Sequence, residues 1–326
     1  LKYKIVFKSN FLMYFLKYDK LIVLIYVKMI SNGGYNMHYK AVKGILSNDN
    51  TMNLYRGCQH GCIYCDSRSK CYHFEHDFED IEVKENALSL LENVLKHKRK
   101  KCMIQMGSMC DPYMPLEKEL KHVQKALELI EQYHFGVTLI TKSDLILRDL
   151  ELLKKINQQT KCVVQMTLTT FDENLCQKLE PGVCTTQRRI EVLKELHKNG
   201  IPTIVWLTPI LPFINDSQEN ILKILEECHE AGVKGIICFG MGVTLREGSR
   251  EYYYKQLDRL FPGMKEKYQM TYNDQYTLNS PHNRDLMNLF FKKCQEYQMM
   301  CNYLEIFEYL QEFEEKTPIK KKDIHD

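Results

Sequence analysis

The sequence predicts an α/β protein built on a parallel sheet, and three observations carry that expectation. Six short apolar runs recur along the chain, amphipathic stretches at helical spacing lie between them, and the residues beyond 250 turn wholly helical. Short all-apolar runs suit strands covered on both faces, and helical connections suit parallel pairing.

In chain order, the first strand is expected at 52–55, and Ala87, Leu88, Leu91, Val94 and Leu95 form the helix face that follows. The second strand, 102–106, precedes a face of Leu120, Val123, Leu127 and Ile130. The third, 137–140, is followed by Ser143 as a helix N-cap and by Leu150, Leu153 and Ile156. The fourth, 162–168, leads to Thr185 or Thr186 as the next cap, to Ile190, Leu193 and Leu196, and to Gly200 as the stop. The fifth, 203–207, precedes Ile221, Leu222 and Leu225, which end at Gly232, and the sixth is 235–239. Six units fall short of the eight of a closed (β/α)₈ barrel. The pattern alone leaves an incomplete barrel and a doubly wound sheet both open. Helical pieces then follow at 252–260, 284–297 and 302–313, before a charged, solvated tail from Glu314.

Composition bounds the function. Of 326 residues, 44% are apolar and 27% charged, which excludes collagen-like and disordered chains. The net charge is +3, and residues 1–36 alone carry +5, so the remainder is slightly acidic and no strong field recruits nucleic acid. Residues 1–36 lack Cys and Pro, and their uncharged runs are shorter than the roughly 20 residues of a membrane span. They are expected to be an over-extended reading frame upstream of a start near Met37, with a membrane-contacting extension and an export signal as the alternatives. No membrane partner is expected. The organised chain divides into a core over 37–250 and a helical region over 251–326.

Thirteen cysteines is a high and odd number, with nine scattered singly and four between Cys58 and Cys71. Scattered thiols suit a reducing compartment, so the cytoplasm is expected, and a tight thiol cluster there more often holds metal than a disulfide. Cys58, Cys62 and Cys65 make a C-x₃-C-x₂-C run directly after the first strand. Three thiolates on one loop can ligate three irons of a [4Fe–4S] cube, leaving the fourth iron open to an exogenous ligand. A zinc staple completed by His60, Cys71, His73 or His76, in a binding or regulatory protein without radical chemistry, is the alternative.

That run, with Tyr64 before its last Cys, resembles the cluster loop of the radical S-adenosylmethionine (radical SAM) superfamily. The resemblance implies a partial (β/α)₆ barrel, a [4Fe–4S] cluster, and S-adenosyl-L-methionine chelated to the unique iron. One-electron reduction would then give a 5′-deoxyadenosyl radical, with the electron coming from an external flavodoxin- or ferredoxin-type donor. Further segments resemble the spore photoproduct lyase-related branch. They are residues 53–58, the run from Gly107 to Glu117, Thr141-Lys142-Ser143, residues 167–170 with Leu179-Glu180-Pro181 and Arg188, and residues 208–216.

The resemblance implies that Lys142 meets the cofactor carboxylate and Thr167 its ribose or carboxylate, with Tyr64 beside them. Asp111 is expected either to accept from the cofactor ammonium or to support its loop. Arg188 is expected to pair with Glu180 behind the cofactor. The hydrogen-donating Cys of spore photoproduct lyase aligns with Ser108 here, so Cys110 is the candidate donor and that lyase's own reaction is not expected. Nucleic acid stays open as a substrate class, and nothing in the residues names the substrate. Tyr252, Tyr253 and Tyr254 are expected to mix core and surface on a helix, and Trp206 to lie in the core.

Overall fold

The computed structural model describes residues 36–316, so the expectations for the N-terminal stretch and for the end of the charged tail lie outside the described residues. The chain divides into two units, Leu1–His38 and Tyr39–Asp326, and everything below belongs to the second.

Six strands form one parallel sheet: β1 (Thr51–Met52), β2 (Met103–Met106), β3 (Gly136–Thr141), β4 (Cys162–Thr167), β5 (Thr203–Trp206) and β6 (Gly235–Ile237). Their spatial order is their chain order. That order decides between the two architectures left open above. A doubly wound sheet reverses direction at a switch point, whereas here every step goes the same way. Right-handed crossovers that always step to one side place their helices on one face, and the strand twist curls the sheet around the other. The result is a partial barrel.

The outer helices are α1 (Ala87–His97), α2 (His122–Gln132), α3 (Leu150–Gln159), α4 (Glu173–Leu179), α5 (Thr186–Lys198) and α6 (Gln218–Glu230). Neighbours touch in sequence, α1 on α2, α2 on α3 and α5 on α6. Their caps follow the expected chemistry. Ser143 accepts from the Leu145 amide, and Thr185 accepts from that of Arg188 at the start of α5. The central strand β4 is buried along its whole length.

The concave face holds what matters for function. Strand side chains alternate between faces, so Val163, Gln165 and Thr167 of β4 share this inner side. Val163 packs with Ile204 and Ile237 against Ile306 and Leu310 of the last helix. After α7 (Ser249–Leu260), α8 (Met264–Tyr272) and α9 (Asn283–Glu296), that helix, α10 (Tyr303–Gln311), lies inside the curl. Met300 leads into it by exchanging backbone hydrogen bonds with Lys234 and Ile236 at the edge of β6.

Three local expectations are corrected. The first predicted strand splits. Thr51–Met52 joins the sheet, while Tyr55–Arg56 pairs antiparallel with an unpredicted strand at Ile81–Lys84. Asn53 marks the break, because its side chain leaves the ladder to bond Ser108 Oγ and the Met109 amide. A short antiparallel pair, Gly242–Thr244 with Thr277–Asn279, also went unpredicted, since its three-residue strands lie far apart in the chain without a turn signal. Trp206 is only half-buried and walls a cavity instead of filling the core.

The tyrosines of α7 divide as expected. Tyr253 and Tyr254 are buried, and Tyr252 is capped by the Arg68 guanidinium 3.8 Å from its ring. Tyr253 donates to the Tyr268 hydroxyl, which donates to the Pro212 carbonyl, and the group packs behind Cys62, Ile63 and Tyr64.

Candidate radical SAM active site

The cysteine loop turns on a backbone that only small residues permit. Gly57 has φ +93°, and a Cβ there would stand 2.5 Å from the Phe78 carbonyl oxygen. The Cys58 amide donates to that same carbonyl, and the Ile63 amide donates to Leu179. From the far side Gly182 presses on the loop. Its amide donates to His60 at 2.8 Å, and an added Cβ would meet Gln59 and His60 backbone atoms at 2.8 Å.

The loop delivers its three thiols to one cavity of about 290 Å³ at the C-terminal ends of the strands. Cys58 and Cys62 are buried, Cys65 is half-buried, and all three are free. Tyr64, Cys110, Asp111, Lys142 and Thr167 line the same cavity. Burial pushes the Cys58 thiol up to about 12, helped by the nearby Asp111 carboxylate. Burial also raises Cys62 well above its ordinary value, against the opposing pull of Lys142. Metal coordination would remove such protons outright, so a cluster held by these thiols would form with their release.

Lys142 follows β3 directly. Burial opposes its charge, but Cys62, Glu180, Asp111 and Cys65 around it outweigh that and hold its pKa above the ordinary lysine value. Among the described residues no acceptor hydrogen-bonds its ammonium. A cation held charged at a cavity wall, next to soft thiol donors, fits an iron–sulfur cluster with a carboxylate-bearing ligand beside it.

Asp111 is fully engaged by protein. It accepts from the Thr141 hydroxyl and the Lys142 amide, each at 2.7 Å, and from the Tyr113 amide at 2.9 Å. The His60 ring nitrogen Nε2 stands 3.0 Å away. Burial opposes ionisation of Asp111, yet His60 and these hydrogen bonds outweigh it and hold its pKa at about 2. Of its two expected roles, the observed contacts are those of loop support.

The expected Arg188–Glu180 pair is corrected by one residue. With Thr185 capping α5, residue 189 points inward beside Thr186 and Ile190, while the Arg188 side chain is 43% exposed and pairs with Asp144 and Glu191. Arg189 instead makes a fully buried ion pair with Glu180 and donates to the Thr167 carbonyl at 2.7 Å. Glu180 also accepts from the Tyr64 hydroxyl. Burial would raise its pKa, but Arg189, Lys142 and Tyr64 hold it below the usual carboxylate value. One buried guanidinium thus ties the cysteine loop to the end of β4. Tyr64 therefore anchors the loop, with its hydroxyl turned to Glu180.

Cys110 lies in the wall, where its thiol donates to the Tyr55 carbonyl at 3.2 Å and burial pushes its pKa up to about 12. Among the described residues the zinc alternative is not assembled. His60 is held between the Gly182 carbonyl and Asp111, Cys71 and His73 line a separate groove with Arg246, and His76 meets the Asp77 carbonyl through Nδ1. Sequence reasoning missed Arg189, Gly182 and His60's supporting contacts. Only the partner across the fold gives each its role, although Gly182 directly follows the matched Leu179-Glu180-Pro181 segment.

Fold and site together define an enzyme class. The chain belongs to the radical SAM superfamily, whose family pattern matches residues 52–225. It is 36% identical to an uncharacterized protein of Methanocaldococcus jannaschii over 167 residues, which is 51% of this chain and 61% of that one. It is 28% identical to an uncharacterized protein of Mycobacterium tuberculosis over 228 residues, 68% of this chain and 66% of that one. The matched stretch thus spans less than two thirds of either relative.

Among solved structures, a double mutant of spore photoproduct lyase with bound AdoMet and dinucleoside spore photoproduct superposes with a TM-score of 0.60. The match covers 81% of this chain and 80% of that one at 11% identity, so the likeness is one of fold. Family membership implies adenosylmethionine and a [4Fe–4S] cluster as cofactors. Among the described residues no helix is long and apolar enough to cross a membrane.

Proposed function

We propose that this protein is a radical SAM enzyme in which Cys58, Cys62 and Cys65 hold a [4Fe–4S] cluster and Lys142 and Thr167 hold S-adenosyl-L-methionine beside it. The observation that carries this reading is the meeting of three free thiols with a charged lysine in one cavity at the strand ends. When bound, the cluster supplies the electron that splits the sulfonium into methionine and a 5′-deoxyadenosyl radical.

The protein's own part is binding and positioning. Lys142 offers its ammonium to the cofactor carboxylate, and Thr167 a hydroxyl to the ribose or carboxylate. Asp111, by gripping Thr141 and the Lys142 amide, fixes where that ammonium starts. Arg189 and Glu180 keep Tyr64 and the loop in register with β4. The electron comes from a flavodoxin- or ferredoxin-type donor, and the described cysteines, all free, suit the cytoplasm. The reaction differs from that of spore photoproduct lyase, because Ser108 stands in place of that lyase's donor thiol. Cys110 is the hydrogen-donor candidate.

Anaerobic reconstitution followed by dithionite tests the reading. Formation of 5′-deoxyadenosine, lost when the three cysteines are changed to Ala, is expected. A loaded cluster with bound adenosylmethionine and no 5′-deoxyadenosine would overturn it. Lys142→Ala should weaken adenosylmethionine binding by roughly tenfold or more while leaving iron content unchanged.

A further inference from the structure

Beside the cofactor cavity lies a second one of about 260 Å³. The two share Gly107, Ser108, Ile140 and Trp206, so an occupant of one touches the wall of the other. The second runs along the concave sheet face toward α10, and Gln105, Gln165, Phe307 and Gln311 also line it. The linings differ in kind. The first holds Lys142, Asp111 and the thiols, while no residue lining the second is ionisable. A charged group placed there would lose its water and gain no counter-ion.

One wall of this cavity is aromatic, formed by Trp206 and Phe307, with Phe239 and Tyr303 packed behind them. Trp206 meets Phe307 and Phe239 with ring centroids 6.1 and 5.9 Å apart, and Phe239 meets Tyr303 at 5.3 Å. Phe239 is nevertheless 54% exposed and Tyr303 40%, so large rings stand in water next to a cavity they do not fill. The indole is also pinned. Trp206 Nε1 donates to Gln165 Oε1 at 2.7 Å, and Gln165 Nε2 donates to Thr138 Oγ1 at 2.8 Å. A preset ring costs little to order on binding. With no cation in its lining, the cavity offers a phosphate no partner.

We propose that the second cavity receives an uncharged aromatic side chain of a peptide or protein substrate and holds it against Trp206, beside the cofactor. The Gln105 and Gln311 amides then meet the flanking peptide groups, while Gln165 holds the indole. The inference rests on the radical SAM reading for the identity of the neighbouring cavity, but its test is equilibrium binding without turnover, so the two fail separately.

The anaerobically reconstituted protein is dialysed against a capped Gly-Phe-Gly peptide, the same peptide with Asp in place of Phe, and a thymidylyl dinucleotide. The Phe peptide is expected to bind about tenfold more tightly than the other two. Phe307→Ala should weaken it by roughly that factor, and Phe239→Ala, which only supports the Trp206 ring, by a few-fold, while adenosylmethionine binding stays unchanged. Phe239 is exposed enough for its variant to fold normally. Because Trp206 is the chain's single tryptophan, its emission should also shift as the peptide enters. Tighter binding of the dinucleotide, equal binding of both peptides, binding of none, or indifference to both substitutions would overturn the proposal.

Discussion

Arg188 and Arg189 are neighbours with opposite environments, and their contrast gives a clean prediction. Arg189→Met would strand the Glu180 carboxylate in the core and should cost about 3–5 kcal/mol in urea unfolding. Arg188→Met removes only exposed pairs and should change stability by no more than about 0.5 kcal/mol. Asp111 gives a pH signature. Its pKa is depressed from 3.8 to about 2, so its stabilisation is complete above about pH 4 and is lost as pH falls toward 2. The size is ~2 kcal/mol, and Asp111→Asn should flatten acid unfolding over that window. The three cysteines were legible in the sequence from their spacing, and Lys142 and Thr167, which line the same cavity, only through the family resemblance of their strand ends. Arg189 was not, since which of two adjacent arginines faces inward depends on where Thr185 starts the helix.

At the scale of elements, the site is made where loops press on one another. Gly182 lies two residues beyond Glu180 and fits against the cysteine loop with no room for a methyl group. Gly182→Ala should therefore push residues 59–60 outward. Iron content per chain after reconstitution should fall, with far-ultraviolet circular dichroism unchanged. Normal iron loading would show that the loop yields more easily than its packing implies. The strands were readable because each is a compact apolar run between helical stretches. The Asn53 break was not, because it depends on Ser108 and Met109, which the fold alone brings near.

For the whole molecule, the sequential strand order leaves one face of the sheet free of crossover helices, and α10 fills part of it. Ile306 is fully buried against Val163, Ile204 and Ile237. Ile306→Ala should cost about 3 kcal/mol in urea unfolding yet spare adenosylmethionine binding, because its contacts lie away from the thiol cavity. Equal loss of both would place α10 inside the cofactor site. The six-unit count was visible in the strand pattern, whereas a curled sheet in place of a doubly wound one was implied by the family resemblance alone until the strand order showed it. The spread of the site along the chain also bears on biogenesis. The cysteine loop leaves the ribosome long before Thr208 and Pro209, which complete the wall around it. At ordinary translation speeds that interval is on the order of ten seconds. Throughout it the nascent thiols stand open to oxidants and stray metals, so loading of the proposed cluster would depend on the reducing power around the ribosome as much as on the finished barrel.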